Sequence, residues 1–296
     1  MVMKRAMTLL EMIFVLLISS ILAVATFRSL QTLYLYSARN RAVSELSLEA
    51  QITLDQLESM LYYRVPGTVI GYTPGGECEA IEEMTQTRAV LEWIGVMEEA
   101  NIRRAYDGFA DIKSTKPKLR VYRLDSSYDF NSSVLIFAGS LERGLETSGA
   151  CEGAYGWHGN DSNLTYPFRV DRDDEIDFNS TKIPEKIYEK YYLAKSAYAV
   201  TRARNVDMSA ACLGRDLPIE EIDDDTLLLF YNYRPWAGET YCADSAGERE
   251  GNVSILSKNV KGFRVVYAND VLKIGVDMNR SIGERSVHIS KQKVVF

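Results

Sequence analysis

Glu11 is the titratable residue whose surroundings are most unusual, because it is the only charged side chain between Met7 and Phe27. The residues around it, MTLLEMIFVLLISSILAVATF, are otherwise apolar or weakly polar. A carboxylate in a segment of membrane length costs several kcal/mol unless it finds a partner or stays near the interface. The chemistry that suits Glu11 is therefore an ion pair with a cation.

Cysteine and histidine are scarce and widely spaced. The four cysteines all lie beyond the apolar run, at Cys78, Cys151, Cys212 and Cys242. None is in CxxC spacing, and the chain contains only two histidines, His158 and His288. Few residues are therefore available to ligate zinc or to form a Cys–His nucleophile. An even count is compatible with two disulfides in any of three pairings, so we predict structural disulfides or buried thiols.

Two acidic clusters invite a calcium interpretation, DRDDEID at 171–177 and EEIDDD at 220–225. In the first, Asp171, Asp173 and Glu175 have the alternate spacing of an EF-hand loop. However, Ile176 stands where that loop requires Gly, and Lys182 stands where it requires the bidentate Glu. The sequence therefore predicts solvated acidic loops and no cofactor, with calcium as the alternative.

Signatures of catalysis are missing from the sequence. It contains no GxSxG, HExxH or P-loop motif, and no GxGxxG before a helix. The net charge is −7 and no basic stripe alternates with aromatic residues, which argues against direct nucleic-acid binding. We predict a protein that is not an enzyme.

Asparagine occurs in six Asn-x-Ser/Thr sequons, and five of them carry an acid two residues before the Asn. Since 41 of the 296 residues are acidic, fewer than one such coincidence is expected by chance. The D/E-x-N-x-S/T form resembles the acceptor sequence of the bacterial oligosaccharyltransferase that glycosylates exported proteins. The predicted acceptors are Asn131, Asn163, Asn179, Asn252 and Asn279.

The segment that must position Glu11 is long enough to span a membrane. Residues Met7 to Phe27 form a helix of about 31 Å, and Lys4 and Arg5 keep the N-terminus cytoplasmic, so the rest of the chain is exported. A cleavable signal would need a shorter apolar run followed by a cleavage site, and a lipoprotein signal would need a cysteine soon after the run. A plain membrane anchor fits, but it leaves Glu11 unexplained.

The order of basic pair, small residue, M-T-L-L-E and long apolar helix resembles the N-terminus of type IV prepilins and pseudopilins. The resemblance implies cleavage by a prepilin peptidase between Ala6 and Met7, followed by N-methylation of Met7. It also implies that Glu11 pairs with the N-terminal amine of a neighbouring subunit during assembly, with Thr8 as the polar residue ahead of the acid. Ala6 stands where the family usually has Gly, and Met7 where it usually has Phe.

The sequence predicts an α+β fold in which one long helix precedes a β-rich domain. The helix extends from Met7 to Arg64, since no Gly or Pro interrupts it, and from Leu30 onward its apolar residues form one stripe. The predicted divisions are a cytoplasmic leader (1–6), a transmembrane helix (7–27), an exported half-helix (28–64) and a globular domain (65–296). The prepilin resemblance implies that the second half of the helix packs on an antiparallel sheet.

Within the domain, the predicted elements are mostly strands. Val90, Trp93, Ile94 and Met97 indicate a short packed helix, and residues 147–181 a long polar loop. Strands are predicted at 133–139, at 189–203 (with a helix as the alternative) and at 226–236, followed by two strands joined at 269–270 and a last strand ending at the C-terminus.

The end of the chain carries a second resemblance. The order L-x-x-N-V-x-G-F-R-V-x-Y, hairpin and final strand is similar to the sheet of the larger minor pseudopilins (the J-type subunit of type II secretion) and of PilW-type minor pilins. The matching residues are Leu256, Asn259, Val260, Gly262, Phe263, Arg264, Val265 and Tyr267.

Together the two resemblances imply a minor subunit of a type IV filament system, in type II secretion, a type IV pilus or DNA uptake. The expected partners are other pilins or pseudopilins, the inner-membrane assembly platform and the prepilin peptidase. The expected location is the inner membrane, crossed once with the domain in the periplasm, or the filament itself. The large exported domain favours a place at the tip or in the initiation complex. The alternative is a membrane-anchored extracytoplasmic binding protein with a helical stalk.

Overall fold

The structure is a computed structural model of the whole chain. It describes residues 9–73, 75–76, 78–84, 86–139, 149–178, 182–207, 213, 216–242, 251–268, 271–283 and 285–295.

The N-terminal helix is continuous. Helix α1 covers Leu9–Tyr62, 54 residues, and is therefore about 81 Å long. Its buried residues begin only at Ala42 and continue with Leu46, Ala50, Thr53, Leu54, Leu57 and Leu61. Their spacing of three and four places them on one stripe of the helix, as the sequence predicts for this half.

Ten strands form the larger sheet of the domain. They are β1 (Ile70–Tyr72), β2 (Cys78–Ala80), β3 (Val90–Val96), β4 (Lys118–Arg120), β5 (Val134–Phe137), β6 (Tyr166–Arg172), β7 (Glu175–Phe178), β8 (Tyr191–Arg202), β9 (Leu227–Tyr233) and β10 (Asn252–Ser257). The order is β2-β1-β3-β8-β5-β6-β7-β4, with β9 attached to β8 and β10 attached to β9.

Strand β8 holds the larger sheet together, because it pairs antiparallel with β3, β5 and β9. Its twelve residues are interrupted by no Gly or Pro, and nearly every second one is fully buried. The predicted strands at 133–139, 189–203 and 226–236 are confirmed as β5, β8 and β9.

Three strands form a smaller antiparallel sheet. They are β11 (Val260–Ala268), β12 (Val271–Ile282) and β13 (Arg285–Val295), in the order β11-β12-β13. The predicted pairing across residues 269–270 and the predicted last strand are confirmed. The chain is therefore α+β, with a long apolar N-terminal helix and antiparallel sheets.

The buried stripe of α1 packs on one face of the smaller sheet and also reaches the larger one. The resulting core includes Leu54 and Leu57 of α1, Ile274 and Val276 of β12, and Trp93 of β3. A second core lies on the opposite face of the larger sheet, and a third lies between α2 (Glu98–Ile102), β4, β5, β6 and β7. The helix thus stabilises the domain from one side.

The predicted helix around Trp93 is wrong, because residues 90–96 form β3. Its spacing of apolar residues was misleading: β3 is covered on both faces, so six of its seven residues are buried in succession. A strand buried on both sides loses the alternation that distinguishes it from a helix. Only the following five residues, α2, are helical.

The prediction of a long loop at 147–181 is wrong in part. Strands β6 and β7 form a hairpin there, with Asp173 and Asp174 between them. Helical turns cover Gly149–Ala154 and Trp157–Gly159. Polar residues predominate in this region because one face of the hairpin is exposed, not because the backbone is irregular.

Candidate functional site on the N-terminal helix

The first half of α1 is apolar around its whole circumference and buries none of its described residues within the fold. From Leu9 to Phe27 the exposed fractions of its large apolar side chains lie between 47 % (Val15) and 81 % (Leu9). α1 is the one helix, among the residues described, that is long and apolar enough to cross a membrane, with a mean hydropathy of 2.4 in its most apolar window. An apolar surface of this size requires a cover of lipid or protein.

The hydroxyl groups of this segment are satisfied by the helix itself. Ser20 Oγ donates to the carbonyl of Leu17 at 2.8 Å, and Thr26 Oγ1 donates to the carbonyl of Leu22 at 2.6 Å. Backbone carbonyls can accept these bonds without any partner outside the helix. The hydroxyls therefore do not prevent the segment from entering hydrocarbon.

Glu11 lies in the first turn of the described helix and is exposed on its surface. Between Leu9 and Phe27 it is the only ionisable residue. An ionised carboxylate only accepts hydrogen bonds, so the backbone carbonyls that satisfy the hydroxyl groups of this segment cannot satisfy Glu11. Glu11 is therefore the chemically distinctive group of this surface. Ala6, Met7 and Thr8 lie outside the described residues.

Residues 28–41 continue the helix beyond the predicted span and include no buried residue. Leu30, Leu33 and Tyr34, predicted to belong to the packed stripe, are exposed, and burial begins at Ala42. This section has a length of about 21 Å. An exposed, partly apolar helix therefore separates the membrane-length segment from the domain.

Ion pairs attach the second half of α1 to the smaller sheet. Arg280 of β12 lies 2.8 Å from Glu45 and 3.7 Å from Glu49, measured between nitrogen and carboxylate oxygen. Lys293 of β13 contacts Asp55 and lies 2.5 Å from Glu58. Hydrogen bonds from Arg41 and Arg280 lower the pKa of Glu45, and hydrogen bonds from Lys293 and Gln51 lower that of Asp55.

The disulfide prediction is confirmed in part. Cys78 of β2 is bonded to Cys151, 73 residues away, in the helical turn Gly149–Ala154. Cys242 is also disulfide-bonded, and Cys212 lies outside the described residues.

The sequon asparagines occupy different environments. Asn131 and Asn163 are exposed in loops, whereas Asn252 lies in β10 and Asn279 in β12. The amide of Asn252 is bonded to Asp216 and Asn232, and Asn279 is paired with His288 across the sheet. Since a glycosyltransferase needs an exposed and flexible Asn, Asn131 and Asn163 are the stronger of the predicted acceptors. Asn179 lies outside the described residues.

The acidic residues with EF-hand spacing lie in the β6–β7 hairpin and are engaged there. The carboxylate of Asp173 accepts a hydrogen bond from the backbone of Ser126, and that of Glu175 contacts both Lys118 and Arg172. The ammonium group of Lys182 donates hydrogen bonds to the hydroxyl oxygens of Ser162 and Thr165. In the part of the chain that the structure describes, no three His, Cys, Asp or Glu residues are grouped so that they could hold a metal ion.

One buried polar cluster was not predicted from the sequence. Glu92 of β3 is only 1 % exposed, and its Oε2 accepts a hydrogen bond of 2.8 Å from the hydroxyl of Tyr233. Its Oε1 lies 2.9 Å from Nε2 of His158, at ion-pair distance but without hydrogen-bond geometry. The ring of Tyr72 stacks on His158 with the ring centroids 3.9 Å apart. These four residues are called the Glu92 cluster below.

Two features place His158 in this cluster. The Cys78–Cys151 disulfide fixes the start of the segment that carries it, and Gly156 allows the turn, since its φ is 86° and a Cβ there would lie 2.6 Å from the carbonyl oxygen of Pro235.

Burial and the nearby carboxylate of Glu92 raise the pKa of Tyr233 well above its usual value. Tyr233 therefore remains a hydrogen-bond donor throughout the ordinary pH range. The sequence signal was one acid in an otherwise apolar strand, VLEWIGV.

Comparison of the chain with family models, curated proteins and solved structures finds no match.

Proposed function

We propose that this protein is a minor subunit of a type IV filament system, inserted in the inner membrane before it is incorporated into a filament. The observation that carries the proposal is the division of α1. Its first half is exposed, apolar on all sides and contains one acid, whereas its second half is fixed to an antiparallel sheet. In this role the first half lies first in lipid and then among the helices of neighbouring subunits.

Glu11 supplies the specificity of assembly in this proposal. A carboxylate in hydrocarbon and an N-terminal ammonium on a neighbouring subunit are each costly alone, and pairing removes most of that cost. The helix would then be able to leave lipid for a filament without losing apolar burial. The protein would be cut between Ala6 and Met7, and Met7 would be N-methylated.

The packing of α1 supports this role over that of a free stalk. A stalk would keep its polar and apolar faces away from the domain it carries, but α1 buries its stripe from Ala42 onward in the core of the domain. The domain therefore cannot move independently of the helix. A filament subunit needs such rigidity, because its helix determines where its domain lies relative to its neighbours.

The first test is N-terminal sequencing of the mature protein purified from its native host. We expect the sequence to begin at N-methylated Met7. A chain that still begins at Met1 would contradict the proposal and favour the membrane-anchored binding protein.

The second test is Glu11→Ala, with Glu58→Ala as the matched control on the same helix outside the apolar segment. We expect Glu11→Ala to remain in the membrane but to lose its cross-links to other filament subunits, and Glu58→Ala to retain them. Equal cross-linking of both variants would show that Glu11 has no role in assembly.

A further inference from the structure

The inference concerns a short two-stranded structure called here the distal ribbon, made of residues 105–111 and 120–125. Backbone hydrogen bonds join its two halves, from Asp125 N to Ala105 O at 2.7 Å and from Asp111 N to Arg120 O at 2.9 Å. Ala110 and Val121 are paired across it, and both are buried against the third core. The ribbon is therefore a fixed part of the domain.

The opposite face of the distal ribbon exposes aromatic side chains. The pairing of Ala110 with Val121 places Phe109 opposite Tyr122, and side chains alternate between faces along each half. Phe109 is 44 % exposed and Tyr122 is 72 % exposed, while the neighbouring Ile112 is 62 % exposed. Aromatic side chains without cover, next to an exposed isoleucine, are typical of protein contact surfaces.

The same region is strongly basic in an acidic protein. Residues 102–125 contain seven Lys or Arg and three Asp, whereas the whole chain has a net charge of −7. Lys118 is paired with Glu175 and Arg103 with Glu99. Four further cations have no ion pair with any residue that the structure describes: Arg104, Lys113, Arg120 and Arg123.

The distal ribbon lies at the end of the domain where α1 ends, far from the membrane-length segment. Tyr63, just after α1, accepts a hydrogen bond of 2.7 Å from Val96, and Met97 bonds to Leu193 near the start of β8. Phe109 of the ribbon is paired with Lys190, next to that strand. Since Phe27 and Tyr62 are about 53 Å apart along the helix, the lipid around the span is out of reach of the ribbon.

We propose that the distal ribbon binds a partner protein that presents acidic side chains around an apolar patch. The unpaired cations would meet the carboxylates, while Phe109, Tyr122 and Ile112 would pack against the apolar patch. Arginine together with aromatic residues is the combination that most often dominates the affinity of protein interfaces. The protruding Ile112 favours a protein over an anionic polysaccharide, because sugar rings stack on flat aromatic faces and gain little from branched aliphatic groups.

The experiment uses the full-length chain in a nonionic detergent and two fluorescein-labelled synthetic peptides. One peptide alternates acidic residues with Leu, and the other has the same acids with Ser in place of Leu. Fluorescence anisotropy at low and at physiological salt gives the Kd of each. A heparin fragment added as a competitor tests whether an anionic polysaccharide binds to the same residues as the peptide.

The variants separate charge from apolar contact. Arg120→Glu/Arg123→Glu removes two of the cations, with Arg204→Glu, an exposed arginine in the turn that follows the other end of β8, as the control for charge. Tyr122→Ala removes the aromatic contact, with the exposed Tyr34→Ala as its control. All changed residues lie on the surface, and thermal unfolding of each variant verifies that the fold is retained.

We expect the Leu-containing peptide to bind, and both Arg120→Glu/Arg123→Glu and Tyr122→Ala to weaken it about tenfold or more. The two control variants should remain within about twofold of the unchanged protein, as expected outside a contact. The proposal is overturned if neither peptide binds, if the Ser peptide binds as well as the Leu peptide, or if heparin binds more tightly than the peptide through the same residues. The inference does not rest on the proposed function, since a chain with an intact leader would bind equally.

Discussion

Glu92 is a buried acid whose partners come from distant parts of the sequence. Its carboxylate is buried, accepts a hydrogen bond from Tyr233, 141 residues away, and lies 2.9 Å from His158, in the segment that follows the disulfide-bonded Cys151. Each of these groups would be unfavourable in the core alone, because a buried polar group without a partner costs free energy. Only the folded chain brings them together, so the sequence could not predict the cluster.

At the residue scale, we predict that Glu92 and His158 are energetically coupled. A double-mutant cycle of Glu92→Gln, His158→Ala and the double variant should give an interaction energy of about 0.5–3 kcal/mol in chemical unfolding, because the two side chains are in contact within one polar cluster. Additive effects of the two changes would show that the 2.9 Å contact contributes nothing.

Lys182 gives a prediction about pH. Burial lowers its pKa to about 8, while its ammonium bonds to Ser162 and Thr165. Between pH 8 and 10.5 the unfolded chain holds this proton and the folded chain does not, so this residue makes the free energy of unfolding rise with pH in that range.

The measurement is thermal unfolding at pH 7.5, 9 and 10. Relative to Lys182→Met, which lacks the titration, the unchanged protein should gain stability as the pH rises. Lys186→Met, an exposed lysine in the same loop, serves as the control and should run parallel to the unchanged protein. If the stability of Lys182→Met changed with pH in parallel with that of the unchanged protein, Lys182 would not be desolvated by folding.

At the scale of elements, the attachment of α1 to the sheets combines a buried stripe with exposed ion pairs. Leu54 and Leu57 are completely or almost completely buried, whereas the ion pairs of Arg280 and Lys293 are partly exposed. Exposed pairs contribute little to stability, while buried leucines contribute several kcal/mol. The stripe therefore supplies the stability of this contact, and the ion pairs favour one register of the helix on the sheet.

Two substitutions test this division. Leu54→Ala should lower the free energy of unfolding by about 2–5 kcal/mol, because it leaves a cavity between α1 and the sheets. Lys293→Met should lower it far less than Leu54→Ala does, because exposed ion pairs contribute little to stability. Chemical denaturation measures both, and a larger loss for Lys293→Met than for Leu54→Ala would reverse the assignment.

Elements with a clear period were predictable from the sequence, and elements covered on both sides were not. The packed half of α1 keeps a helical period because one side of it is exposed, and β12 and β13 alternate because only one face of their sheet packs on α1. Strand β3 is covered on both faces and was predicted as a helix. Of the candidate site, the sequence predicted the exposed apolar half and Glu11, but not that packing begins as late as Ala42.

At the scale of the whole molecule, the protein divides at Ala42 into an exposed helix and a domain that includes its own part of the helix. All three cores lie in residues from Ala42 onward. The exposed section contributes no buried residue to any of them. The domain should therefore fold without it, while association with lipid or with other subunits should be lost.

A chain that begins at residue 40 tests this prediction. We expect it to be monomeric and soluble by size-exclusion chromatography without detergent, with the same thermal unfolding midpoint as the full-length chain to within a few degrees. As a control, a chain that begins at residue 52 removes Ala42, Leu46 and Ala50 from the core and should unfold at a clearly lower temperature. Aggregation of the first chain would show that residues 9–39 stabilise the domain.

The continuity of α1 through the exposed section 28–41 also sets the angle at which the domain faces its surroundings. Each residue of an α-helix advances the chain by about 100° around the axis. Inserting one residue at position 35 would therefore turn the domain by about 100° relative to Glu11, whereas inserting seven would restore its direction to within about 20° and raise it by about 10 Å. The number of residues in the helix therefore sets both the direction in which the domain faces around the helix axis and its distance from Glu11.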